Sequence, residues 1–206
     1  MILFATSMGS FLNPMIATMV ILALPAIGLE FGVSARDLGW MSTAFILATA
    51  ILLVPASRLV DRIGYKKSYI IGALIVGITC LFSIFAQDYA TLILLRIVAG
   101  VGSAFVMITG LAILTRVYPA NKRGMVIGVN TAMVYVGASL GPIIGGFLTE
   151  YAGWRSLFLL MIPLLLISAG LMIIFLKQEF KNPWKSFDIK GTILYAAAIF
   201  CTMYGL

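Results

Sequence analysis

Apolar residues fill this chain in seven long blocks, broken only by short polar or basic connections. The blocks run Leu3–Leu29, Leu38–Val60, Ser68–Ala86, Tyr89–Thr115, Met125–Thr149, Ser156–Leu176 and Ile189–Leu206. Each approaches or exceeds the roughly 20 residues an α-helix needs to cross a bilayer. The pattern therefore predicts an all-α, polytopic membrane protein with six complete spans and the start of a seventh. The first block has no basic residue before it and continues to spanning length, so no cleavable signal peptide is expected. Three parts follow: a six-helix bundle over 1–176, a basic connection over 177–188, and the seventh helix over 189–206.

Inside these blocks the informative residues are those that interrupt an otherwise uniform apolar helix. The fifth block holds no charge, yet Gly137, Gly141 and Gly145 recur every fourth residue. That spacing puts them on one helix face and lets a neighbouring backbone come close. Pro142 removes a backbone donor there and predicts a bend or a local weakness. Asn13, next to Pro14, lies a third to halfway through the first span. Its amide needs a partner at that depth, either another helix or a ligand in a wet cavity. Arg96 lies roughly 10 Å inside the fourth block. A buried arginine is costly and normally faces the bundle interior with a task, although snorkelling towards Asp88 at the rim is the alternative. Asn130, Thr131 and Tyr135 add polarity to the fifth block. Between the second and third blocks, Ser57–Ser68 reads as a tight turn through Gly64. There Asp61 has Arg62, Lys66 or the helix N-terminal amides as candidate partners. Either it belongs to a solvated turn, or it latches helix ends together.

Composition narrows the function. The chain is 62% hydrophobic and 10% charged, with a formal charge of +7, against about 25% charged residues in a soluble domain. The positive charge is arranged by topology rather than for nucleic acid. Arg58, Arg62, Lys66, Lys67, Arg116, Lys122, Arg123, Lys177, Lys181, Lys185 and Lys190 flank alternate connections, and only Arg36 and Arg155 lie on the other side. This bias predicts a cytoplasmic N-terminus. The last connection also suits contact with anionic lipid headgroups. Cys80 and Cys201 match no metal spacing and read as packing residues. Gly137–Gly141 fits the G-x-S-x-G pattern around Ser139, but there is no histidine in the chain, and the serine sits mid-helix rather than on a nucleophile elbow. With no phosphate loop or dinucleotide fingerprint either, neither an enzyme nor a cofactor is expected.

Three separated stretches resemble the major facilitator superfamily of transporters. Ser57–Lys67 is similar to its helix 2–3 signature, G-x-L-a-D-r-x-G-r-k, keeping Asp61, Arg62 and Gly64 but carrying Ser57 and Tyr65 in place of the first glycine and the first basic residue after Gly64. Leu92–Ala104 resembles the helix 4 signature built on an arginine, with Ala99 in place of the usual glutamine. Gly137, Gly141, Pro142, Gly145 and Gly146 fit the helix 5 signature of the antiporter branches, and Gly153-Trp154-Arg155, Phe158 and Phe187–Gly191 look like the 14-helix drug:proton antiporters. The resemblance implies the N-terminal half of that fold, an inverted 3+3 repeat rocking about a midplane site. It also implies proton-coupled export of small amphipathic molecules across the cell membrane, without a cofactor. Asp61, Arg62, Gly64, Lys66 and Lys67 would form the gate. Arg96, Asn13, Asn130 and Tyr135 would serve coupling or substrate, and the glycine–proline stretch would be the sealed contact on which the halves move. The partners implied are lipid, substrate, protons, and a second half or a second copy of the chain. A half-transporter that binds a ligand without moving it, or a facilitator, are the alternatives. One departure matters: the helix 1 aspartate usual in the 14-helix branch is Ile16 here, and the asparagine that usually follows is Ile21.

Overall fold

The computed structural model describes residues 1–181 and 189–204. Seven helices appear, α1 (Ile2–Phe31), α2 (Ala35–Ile63), α3 (Tyr65–Ile84), α4 (Tyr89–Val117), α5 (Ala120–Ala152), α6 (Arg155–Phe175) and α7 (Ile189–Tyr204). The first six are long and apolar enough to cross a membrane. Most extend beyond the hydrophobic runs, because polar residues at the ends continue the helix. α2 begins with Ser34 as its cap, whose hydroxyl accepts from the Asp37 amide. α4 begins at Asp88, whose carboxylate accepts from the Thr91 amide and hydroxyl at 2.7 and 2.8 Å. Those bonds hold the Asp88 carboxyl below the usual carboxylate range. α5 is helical throughout, Pro142 included. The expectations at Lys185, Phe187, Asp188 and Leu206, and those on the side chain of Lys190, lie outside what is described.

The burial pattern has the polarity of a membrane protein. Thr49, Ser68, Arg96, Ser103 and Asn130 are buried, while Ile78, Phe82, Leu94, Ile143, Phe147 and Ile174 face outward. In lipid this arrangement suits both sets, since polar groups are excluded from hydrocarbon and apolar ones are not.

The helix pairing carries an internal symmetry. α1 lies along α5 as α4 lies along α2, α3 packs on α4 as α6 packs on α1, and α3 meets α6. This set is unchanged when α1, α2 and α3 are exchanged for α4, α5 and α6. Each triplet has an odd number of spans, so the second starts from the opposite membrane face. That is an inverted 3+3 repeat.

α1 and α5 form the most extensive pair, and their glycines explain it. A Cβ at Gly145 would lie 2.5 Å from the Met19 carbonyl oxygen and 2.8 Å from its Cα; one at Gly141 would lie 2.9 Å from the Met15 carbonyl. At Gly137 the obstacle is the Phe11 carbonyl. At Gly137 and Gly145 these are backbone atoms, so only movement of a whole helix relieves the clash, whereas at Gly141 the Thr18 side chain is also in the way. Gly146 sits beside this seam, where a Cβ would meet only the tip of Leu22 at 3.1 Å.

The opposite rim is tied by side chains. Arg155 on α6 pairs with Glu30 on α1 at 2.7 Å and donates to the Ile84 carbonyl at the end of α3 and the Ala86 carbonyl just after it. Trp154 donates to the same Glu30 carboxylate at 2.7 Å. One arginine thus joins three helix ends. Among the described residues Cys80 is buried, as expected of a packing residue, and Cys201 is exposed.

The seam yields a paired test on two single-methyl additions. Gly145→Ala should destabilise the protein by about 1–3 kcal/mol, the usual cost of overpacking. Gly128→Ala, with nothing within 4 Å of its added carbon, should be neutral or stabilising by up to about 1 kcal/mol. Thermal unfolding in detergent checks both, and equal effects would contradict the seam.

Candidate functional site

Between α1, α2, α4 and α5 lies a cavity of about 470 Å³. Asn13, Pro14 and Ala17 border it from α1, and Phe45, Thr49 and Leu53 from α2. Ser103, Met107 and Leu111 border it from α4, and Asn130, Thr131 and Val134 from α5. Its shape follows from the helix pairing. The glycine seam holds α5 against one side of α1, and the α2–α4 contact closes the far wall. Thr49 reinforces that wall by donating to the carbonyls of Phe45 at 2.8 Å and Gly100 at 3.2 Å.

The polar lining carries no charge. Asn13 and Ser103 satisfy each other: the Asn13 amide donates to the Ser103 carbonyl at 3.1 Å, and the Ser103 hydroxyl donates to Asn13 Oδ1. Of the two readings of Asn13, interhelical bonding is present, and the residue also borders the cavity. Asn130 faces the same space, 6% exposed, with no hydrogen-bond partner for Oδ1. Tyr135, five residues on, points about 140° away around the helix and is 69% exposed, outside the cavity lining. Ile16 is a core residue packed with Leu12, Met19 and Phe158.

Arg96 takes the interior alternative. It is 3% exposed, and its guanidinium faces the rings of Phe158 at 5.2 Å and Phe45 at 5.7 Å. Rim snorkelling is absent because Asp88 is turned towards its own helix start. Two aromatic faces surround the charge, each supplying cation–π attraction. Nε and Nη2 have no hydrogen-bond partner among the described residues. Phe45 links the two, since it meets Arg96 and also borders the cavity.

At the basic end the turn is tighter than the sequence suggested, because Gly64 alone separates α2 from α3. Its φ of 112° suits only glycine. The partner of Asp61 is neither Arg62 nor Lys66. Tyr65 donates its hydroxyl to Asp61 and accepts from Arg116 Nη2 at 3.0 Å, while the Arg116 guanidinium lies 4.3 Å from the Tyr65 ring centre. Aspartate on α2, tyrosine on α3 and arginine on α4 thus form one chain. Arg62 and Lys67 point outward, and the Lys66 ammonium donates to the Ile173 carbonyl at 3.0 Å. The start of α3 is capped from the connection after α6, where Glu179 accepts from the Lys66 amide at 2.9 Å and the Phe180 carbonyl accepts from the Tyr65 amide at 3.1 Å. Sequence reasoning treated Tyr65 as a lapse from a basic pattern and passed over Glu179. The only available signal was an acid in a basic connection.

Tyr65→Phe should destabilise the protein by about 1–2 kcal/mol, because hydrogen bonds to charged groups are worth more than neutral ones. In a double-mutant cycle with Asp61→Asn the two losses should overlap; strict additivity would show that the bridge contributes nothing.

The Major Facilitator Superfamily model matches residues 6–205. The riboflavin transporter RibZ of Clostridioides difficile is 33% identical over 197 residues, which cover 95% of this chain and 43% of that protein. The tetracenomycin C resistance and export protein of Streptomyces glaucescens is 31% identical over 206 residues, 99% of this chain and 38% of that protein. In fold, a bacterial homologue of the human lysosomal transporter Spinster, solved inward-facing and unoccupied, superposes with a TM-score of 0.76 at 22% identity, covering 92% of this chain and 45% of that one. The chain spans 38–43% of the length of these two curated relatives. It is an integral, multi-pass membrane protein that belongs to the Major Facilitator Superfamily.

Proposed function

We propose that this chain is the N-terminal half of a secondary active transporter, which exports small amphipathic molecules by alternating access in exchange for protons. The observation that carries the reading is the cavity: a space of about 470 Å³ among four spans, walled by apolar side chains and a few neutral polar groups. A small-molecule site has this composition. In a bilayer such a space serves passage or binding, since lipid packing alone has no use for buried amides. The names of the two relatives, one a riboflavin transporter and one an export protein, support a small organic cargo.

Residues 1–176 are the bundle and 177–188 the connection, and the stretch 189–206, which holds α7, leads towards a second half. α7 already rests on α2, where Tyr195 donates to the Ala50 carbonyl at 3.1 Å. The basic ends of the helices support an N-terminus in the cytoplasm of a cell-membrane protein. Asp61, with Arg62, Gly64, Lys66 and Lys67, holds the cytoplasmic gate, and the Asp61–Tyr65–Arg116 chain is the part that changes between states. Gly137, Gly141, Pro142, Gly145 and Gly146 keep the α1–α5 contact tight during rocking. Arg96, Asn13, Asn130 and Tyr135 serve coupling or substrate. The cavity lining contains no carboxylate, so the proton carrier belongs to the second half. A second reading, a ligand-binding module that moves nothing, draws on the same cavity and on the share of its relatives that the chain spans.

Flux separates the two. Full-length protein in proteoliposomes should move riboflavin when a pH gradient is imposed and stop when a protonophore collapses it. Riboflavin bound with no gradient-dependent flux would leave only the binding module. Asp61→Asn should slow the flux at least tenfold while riboflavin binding persists. An unchanged rate would remove Asp61 from the gate.

A further inference from the structure

The polar groups around the cavity are not equivalent, and their bonding shows what a ligand must bring. Asn13 and Ser103 are paired with each other, and the Thr49 hydroxyl is committed to two backbone carbonyls. Asn130 differs: it is 94% buried, it borders the cavity, and its Oδ1 has no partner. A buried acceptor without a bond has lost its hydration with nothing in exchange. The amide turns on a soft terminal torsion, which allows it to meet a donor arriving in the cavity.

A fixed positive charge stands behind one of the cavity's lining residues. Arg96 stays protonated in proteins, and its guanidinium lies 5.7 Å from the centre of the Phe45 ring that forms part of the cavity wall. Among the described residues no acidic side chain borders the cavity to offset it. In a low-dielectric bundle that field opposes a cation in the cavity. With Ile16 in the core, the first helix supplies no carboxylate either.

We propose that the cavity selects uncharged amphipathic molecules carrying an N–H or O–H donor, and that Asn130 is the residue that anchors them. The assignment rests on the transport reading for its biological sense, although binding itself does not require movement. Asn130 acts by direct contact with the ligand, whereas Arg96 acts across Phe45 by excluding cations.

Equilibrium binding to the purified full-length protein tests this without a gradient. Two fluorescent probes of similar size suffice: riboflavin, an uncharged ring system with imide and hydroxyl donors, and ethidium, a permanent cation. Native protein should bind riboflavin and discriminate against ethidium at least tenfold. Asn130→Leu should weaken riboflavin about tenfold, the loss of one buried hydrogen bond. Asn130→Asp, nearly isosteric, should keep the fold and improve ethidium binding at least tenfold, which a purely structural asparagine would not do. Ethidium bound by the native protein as tightly as riboflavin, no binding of riboflavin, or riboflavin affinity unchanged in Asn130→Leu would each overturn the assignment. Binding without flux would instead count against transport and leave the anchor standing.

Discussion

The contact between α1 and α5 is the constraint on which the rest of this structure depends. Three glycines on one stripe of α5 meet the carbonyls of Phe11, Met15 and Met19, with the Thr18 side chain also filling the space at Gly141. In a bilayer there is no hydrophobic gain from bringing two apolar helices together, so close packing must supply the adhesion. Because the glycines occupy one face only, the contact also fixes how α5 is rotated. Asn130, in register with the stripe, is thereby turned inward to the cavity, and Tyr135 and Phe147 are turned out. A smooth stripe thus decides both where α5 lies and which of its polar groups is available.

The two ends of the bundle are held by different chemistry. At one rim Arg155 gathers Glu30 and two carbonyls left free at the end of α3. At the basic rim a tyrosine hydroxyl stands between Asp61 and Arg116. The first is an ion pair reinforced by backbone acceptors and suits a permanent joint. The second depends on one hydroxyl carrying two bonds, and moving any of its three helices breaks it. That difference agrees with a gate at the basic end.

Helix number, order and approximate ends were legible in the apolar runs, because a span must be long and uncharged wherever it lies in the bundle. The stripe at Gly137, Gly141 and Gly145 was legible as a contact face for the same local reason. Its partner was not, since nothing in the sequence of α5 names α1. Arg96 shows the limit clearly. Its cost in a membrane predicted an interior position, and that position is observed. The partners, Phe45 and Phe158, come from helices distant in sequence and look like ordinary core residues. Tyr65 was hidden differently: judged against a basic pattern it looked like a substitution, whereas its hydroxyl makes the bridge.

The seam seals the later turns of one α5 face against α1, and the earlier turns of that face, at Asn130 and Val134, border the cavity shared with α2 and α4. Single cysteines at Val134 and Met107, which border the cavity, and at Ile144, which packs against the core, test it most directly. In full-length protein lacking Cys80 and Cys201, a membrane-impermeant thiol reagent should label Val134→Cys and Met107→Cys and spare Ile144→Cys. Labelling at Ile144→Cys with protection at the other two would contradict the account.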